Sequence, residues 1–381
     1  MPKNMALSKS ELIPWNSIGE SVVEAEERRL PFQEALASPC ATCQTSPCCT
    51  HLPLHSFRIT NLIELDHALY VLNFDRIELG LAANGEWSIY YVYPCRYLDL
   101  DHFTCTVHEQ PAQPRICGHY NPYHCWYKRV FTKSVSDEFL QIDLNRMEYI
   151  VSKIVFDEDR NIVEVPNWEI LVQELAQIPP EPFSKNGVTP ASDLLAVPVL
   201  AEWQELAVQH PNGEPVKTEG KSYDALQDPC TGCQAYCCKT LTFPQSQPGN
   251  ASNLDYYQFC LGFPGIELGI TDDSWSLVVR TTCRHLVDNR CSIFNEPKRP
   301  LICRYYDAWK CNYIVNFGQT RPPGYVRVNL EQFDALLEGF QFDNNGQVTQ
   351  IPSTEWIRHN VEEKWRSVVQ SAPALIPEPN P

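Results

Sequence analysis

The apolar positions of the chain fall into short segments of different period, and the segments come in two sets. LDHALYVLNF at 65–74 and LDYYQFCLGF at 254–263 carry apolar residues at helical spacing, whereas WSIYYVY from Trp87 and WSLVVRT from Trp275 are β-branched and aromatic runs that predict strands. Farther on, FLQIDL at 139–144 and YVRVNL at 325–330 each predict a short alternating strand running into a helix, with Asp143 or Asn329 as its Asx cap. The turns DEDRN and DNNG then lead to one more strand and a closing helix in each set. The expected fold class is α+β.

The two sets are one unit written twice. IELG stands at 77–80 and again at 266–269, Trp87 and Trp275 keep the same distance to Cys95 and Cys283, and Pro111, Pro114 and Tyr120 recur as Pro297, Pro300 and Tyr306. This is a tandem duplication of a unit of roughly 150 residues. It divides the chain into a first cysteine-cluster domain at 1–177, a linker with a helical stretch at 178–225, a second cysteine-cluster domain at 226–370 and a disordered tail at 371–381. Within the linker, Pro198 should kink or split the helical stretch.

Composition narrows the function classes. A chain of 381 residues with 43% hydrophobic and 20% charged residues is that of a globular protein large enough for two domains, and it holds no apolar run long enough for a membrane helix. That absence argues against a membrane, and a formal charge of −17 repels phosphate backbones, so nucleic acid is not an expected partner either. The N-terminus lacks the apolar core of a secretory signal, which predicts a cytoplasmic protein.

In that compartment seventeen cysteines are reduced thiols, and CxxC pairs among reduced thiols point to metal. The candidate ligands of the first copy are Cys40, Cys43, Cys48, Cys49, Cys95, Cys105, Cys117 and Cys125. Those of the second are Cys230, Cys233, Cys237, Cys238, Cys283, Cys291, Cys303 and Cys311. Each CxxC offers two thiols on a tight turn to one ion. The adjacent pairs Cys48–Cys49 and Cys237–Cys238 should point apart, as neighbours do on a strand or helix, and so serve two centres or divide between ligation and packing. Two zinc ions per copy, or one four-iron cluster with thiols to spare, both satisfy the count. Cys125 and Cys311, followed by aromatic residues, also read as small packing residues, and Cys260 does so more strongly because Val71 stands opposite it in the first copy. Arg96 and Arg284 each follow a cysteine and are candidate counter-charges to a thiolate centre. His51 and His285 face Thr240 and Tyr97 in the other copy, which speaks against a ligand role. No GxSxG, HExxH or GxGxxG motif is present, and PVKTEGKS at 215–222 lacks the first glycine of a phosphate loop and reads as linker.

The order CxxC, a short gap, CC, then separated cysteines with proline before the third of them, resembles the YkgJ-type CxxCxxCC family over roughly 40–125 and 230–311. The resemblance implies a zinc- or iron-chelating domain and, through the flagellin lysine methylases in that family, a 4Fe-4S cluster. The family's Arg-Pro before the late cysteine appears as Arg299 and Pro300, but as Gln113 and Pro114 in the first copy. The expected function is that of a cytosolic protein with an iron–sulfur centre in each half, used for electron transfer or protein modification. A zinc-stapled scaffold that binds another protein and an iron–sulfur-dependent protein lysine methylase are the alternatives. The implied partners are metal ions and a protein substrate or partner.

Overall fold

The computed structural model describes Cys43 and residues 46–120, 125, 127, 131, 138–179, 233–294, 296, 298–306, 311–318 and 321–364. Cys40, Cys230, the tail at 371–381 and the linker beyond Pro179 lie outside the described residues. The first half runs β1 (His51–Phe57), α1 (Leu62–Leu72), β2 (Ile77–Ala82), β3 (Trp87–Val92), a hairpin of β4 (Leu98–Asp99) and β5 (Thr104–Cys105), and the short α2 (Arg115–Gly118). It continues with β6 (Phe139–Ile142), α3 (Leu144–Val151), the hairpin β7 (Val155–Phe156) and β8 (Ile162–Glu164), and α4 (Trp168–Leu175).

The second half repeats the plan with β9 (Thr240–Gln245), α5 (Ala251–Leu261), β10 (Ile266–Ile270), β11 (Trp275–Arg280), β12 (Leu286–Val287), β13 (Arg290–Cys291) and α6 (Leu301–Arg304). There follow α7 (Asn312–Phe317), β14 (Val326–Val328), α8 (Leu330–Leu337), β15 (Gln341–Phe342), β16 (Val348–Gln350) and α9 (Thr354–Ile357). Each half therefore builds a four-stranded antiparallel sheet, in the orders β1-β3-β2-β6 and β9-β11-β10-β14, with helices packed on it. This is an α+β fold with two similar halves.

The predicted caps are in place: the Asp143 and Asn329 side chains accept from the backbone N–H of Arg146 and Gln332, and Gln332 returns a bond to Asn329 N–H as a capping box. The turn after α3 or α8 joins two short paired strands rather than preceding a single strand. The strands that follow the adjacent cysteines carry proline, which ordinarily argues against a strand. Pro53 and Pro244 are tolerated because β1 and β9 are edge strands, where a missing N–H costs no ladder bond on the open side. The glycine of each IELG has a packing reason, since a Cβ on Gly80 would enter the Phe139 ring and one on Gly269 would meet the Tyr325 hydroxyl.

One continuous apolar core passes through both halves, from Leu52 and Leu65 to Leu254, Phe263 and Val361. Polar contacts between the halves come in reciprocal pairs: Arg96 N–H donates to Gly262 O at 2.9 Å, and Arg284 N–H donates to Asn73 O at 2.8 Å. Among the described residues no helix is long and apolar enough to cross a membrane.

Candidate metal centre

The cysteine site of each half is assembled from four separate pieces of chain. The first piece is the 3-10 turn Pro47–Cys49 or Tyr236–Cys238, entered through a left-handed residue, Ser46 at φ 35° or Ala235 at φ 56°. The tight turn brings adjacent sulfurs to the same side, with Cys48 Sγ 3.9 Å from Cys49 Sγ and Cys237 Sγ 4.0 Å from Cys238 Sγ. The expectation that neighbours point apart fails because it assumed strand or α-helix geometry, whereas a 3-10 turn after a positive φ follows neither.

The second piece is the segment leaving β3 or β11. Cys95 N–H donates to Cys49 O at 2.7 Å and Cys283 N–H to Cys238 O at 2.8 Å, which fixes the fifth cysteine of each copy beside the adjacent pair. The small hairpin that follows is the third piece: Leu98 pairs with Cys105 and Leu286 with Cys291, and each leucine N–H bonds back to the carbonyl of Cys95 or Cys283 at 3.0 Å. The fourth is the short helix α2 or α6, started by Pro114 or Pro300, which presents Cys117 or Cys303.

The thiols so gathered lie within electrostatic reach of one another. Burial, then the charges of Cys95, Cys48 and Cys105, raises the Cys117 thiol, and burial, then Cys105 and Cys48, raises Cys95. In the second half burial pushes Cys283 and Cys303 up to about 12, with Cys291 adding to the first and Cys283, Cys237 and Cys291 to the second. Within the first adjacent pair the hydrogen bond between sulfurs lowers Cys48 and raises Cys49, with burial adding to the rise of Cys49. Arg96 and Arg284 each lower the cysteine before them by their charge, against the larger rise from burial, and the Arg96 guanidinium also pairs with the Glu331 carboxylate. Arg299 does the same for Cys237, Cys291 and Cys303, while its counterpart Gln113 is a buried neutral amide bonded to Glu109 N–H at 2.8 Å.

Five candidate thiols per half are thus brought together: Cys48, Cys49, Cys95, Cys105 and Cys117, and Cys237, Cys238, Cys283, Cys291 and Cys303. Cys43 and Cys233 are half-buried, and without Cys40 and Cys230 the CxxC geometry lies outside the described residues. The last cysteine of each copy has a tyrosine partner: Tyr120 O–H donates to Cys125 Sγ at 3.7 Å and Tyr306 O–H, itself within electrostatic reach of Cys237, to Cys311 Sγ at 3.5 Å. Cys311 Sγ also accepts from Ile314 N–H at 3.4 Å, capping α7. Cys260 is fully buried in the apolar core, and Val71 is nearly so at the matching place. His51 is turned to Thr50 Oγ1 at 2.9 Å and packs its ring on Phe131.

A set of free, mostly half-buried thiols converging from several segments suits a thiophilic ion or cluster, which supplies positive charge to crowded thiolates. Among the described residues no group of three or more cysteine, histidine or acidic side chains is already closed into a metal cage. Two acidic residues escaped the sequence reading. Asp66 on α1 and Asp255 on α5 are buried, and each reaches into the site of the other half, where Asp255 bonds the backbone of Arg115 and Ile116 and Asp66 that of Leu301. The available signal was a carboxylate repeated at one position of an otherwise apolar helix face.

No family model, curated protein or solved structure matches the chain.

Proposed function

We propose that this chain is a cytoplasmic metal-binding protein with one thiolate-ligated centre in each half. The ligands are drawn from Cys48, Cys49, Cys95, Cys105 and Cys117 in the first half and from Cys237, Cys238, Cys283, Cys291 and Cys303 in the second. The observation that carries the reading is the repeated convergence: the same four chain segments bring the same five thiols together twice, and metal sites need ligands from separated segments. The proposed form is iron–sulfur, in keeping with the CxxCxxCC pattern, and its use is electron transfer or a protein-modification step. A bound cluster would supply one-electron chemistry. The chain's own residues hold and tune it, with Arg96, Arg284 and Arg299 offsetting thiolate charge.

A zinc-stapled protein-interaction scaffold is the second reading, and one distance favours it. Two thiolates on a single tetrahedral ion with bonds of about 2.3 Å stand about 3.8 Å apart. The adjacent sulfurs at 3.9 and 4.0 Å have that spacing. Anaerobic purification from iron-replete cells, followed by metal and acid-labile sulfide analysis and a visible spectrum, separates the two. Coloured protein with iron and sulfide supports the first reading, colourless protein with stoichiometric zinc replaces it by the second, and protein binding neither metal overturns both.

A further inference from the structure

We infer that Asp66 and Asp255 are positioning residues that act across the molecule, each holding the late cysteine of the opposite half in place. Asp255 on α5 of the second half is buried, and its two carboxylate oxygens accept from Arg115 N–H at 2.6 Å and Ile116 N–H at 2.7 Å, the first residues of the helix that presents Cys117. Asp66 on α1 of the first half accepts in the same way from Leu301 N–H at 2.8 Å and from Ile302 N–H, at the start of the helix that presents Cys303.

A helix of four residues cannot hold its own direction, because its first N–H groups have no partners within the helix and nucleation is unfavourable. Arg115 and Ile116 N–H both donate to the other half's carboxylate, and a desolvated carboxylate paired with two N–H donors makes the strong, charge-assisted kind of bond. The far ends of α1 and α5 reinforce the exchange. Gly262 O accepts from Arg96 N–H at 2.9 Å, and a Cβ on Gly262 would stand 3.4 Å from Cys95 Sγ; Asn73 O accepts from Arg284 N–H at 2.8 Å. Tyr70 of α1 is also buried within electrostatic reach of Cys303, Cys237 and Cys238. Each cysteine site is therefore roofed by the helix of the other half, which meets two of the five thiol positions, one at each of its ends.

As far as it concerns metal, the inference rests on the proposed centres, so its test has one arm that needs no metal. Hydrogen exchange read by mass spectrometry on the full chain compares residues 115–118 with 301–304. Asp255→Asn should speed exchange at 115–118 about tenfold and leave 301–304 unchanged, and Asp66→Asn should give the mirror image. Asp255→Glu, which keeps the carboxylate, should recover part of the protection. In the second arm, thiol alkylation of metal-loaded chain should show that Asp255→Asn removes metal-dependent protection from Cys95, Cys105 and Cys117 while Cys283, Cys291 and Cys303 keep it. Faster exchange confined to the variant's own half, equal acceleration in both halves, or no change overturns the inference. Wild-type chain without metal-dependent protection in either half would instead overturn the proposed centres, with the exchange arm still deciding the role of the two aspartates.

Discussion

Cys260 offers a sharp test of the proposed division between ligand and core cysteines. It is fully buried on α5 among apolar residues, and burial pushes its thiol up to about 12, so it is neutral at pH 7. The first half fills the matching position with Val71, also buried, so the surrounding core already accepts a β-branched side chain there in one of its two versions. Cys260→Val adds about one methyl group and removes a weak sulfur contact with the Tyr256 hydroxyl. Near-isosteric core swaps cost under about 1.5 kcal/mol, and a change of ~1 kcal/mol moves the midpoint of a unit of 150–250 residues by ~2–4 °C. The expected result is unchanged metal per chain with a small fall in melting temperature. Cys303→Val serves as the contrast, because Cys303 faces Cys283, Cys237 and Cys291 and its counterpart is also cysteine. That variant should lose the metal of the second half and, with it, stabilisation on the order of 10 kcal/mol that a structural site contributes to folding. The assay is metal analysis of each purified variant beside a thermal melt with and without chelator. Equal metal loss in both variants, or retention of full metal by Cys303→Val, would refute the division between ligand and core cysteines.

Glu78 on β2 is pushed up to about 7 by burial, then by Asp143, against the pull of Arg146. The folded chain therefore holds a proton that the unfolded chain releases near pH 4 to 5, so stability from this group is present below that range and falls as pH rises towards 7, by a few kcal/mol at most. Glu78→Gln should flatten this slope and raise the urea midpoint at pH 8, and an unchanged slope would count against it. Gly269→Ala drives a methyl against the Tyr325 hydroxyl and Ser276 Oγ and should cost about 1–3 kcal/mol in urea unfolding, where an unmoved midpoint would contradict the packing account. Arg299→Gln should weaken metal binding in the second half roughly tenfold or more, and Gln113→Arg should strengthen it in the first; chelator competition reads both, and no change in either would remove the arginine from the site.

Duplication made much of the fold legible, because each copy served as a comparison for the other. The strands from Trp87 and Trp275 and the caps Asp143 and Asn329 could be read because alternation and Asx capping are local properties. The edge strands β1 and β9 were hidden by Pro53 and Pro244, since whether a strand lies at an edge is decided by its neighbours. The shared direction of Cys48 and Cys49 was hidden for a different reason, as the left-handed Ser46 that sets the turn is not a residue type that announces it. The crossing of Asp66 and Asp255 could not be read at all. Exchanging an element between two similar halves leaves every residue identity and every repeat position as it was, so sequence cannot separate a carboxylate that bonds its own half from one that bonds the other.

That exchange has a consequence for how such a molecule can change. Reciprocal contacts of this kind are those of an isologous pair, in which one surface meets its own copy across a two-fold axis. When the two copies are separate identical chains, every substitution is made twice, and the two sites stay alike. Covalent joining lifts that constraint: a residue beside one site can be altered while its twin keeps the older chemistry. Arg299 against Gln113 and His51 against Thr240 are such departures, and they lie at the cysteine sites, while Asp66, Asp255 and the five paired thiols remain the same in both. The fused chain thus holds two sites of common build and different local charge, which a symmetric dimer of one half could not hold in a single molecule.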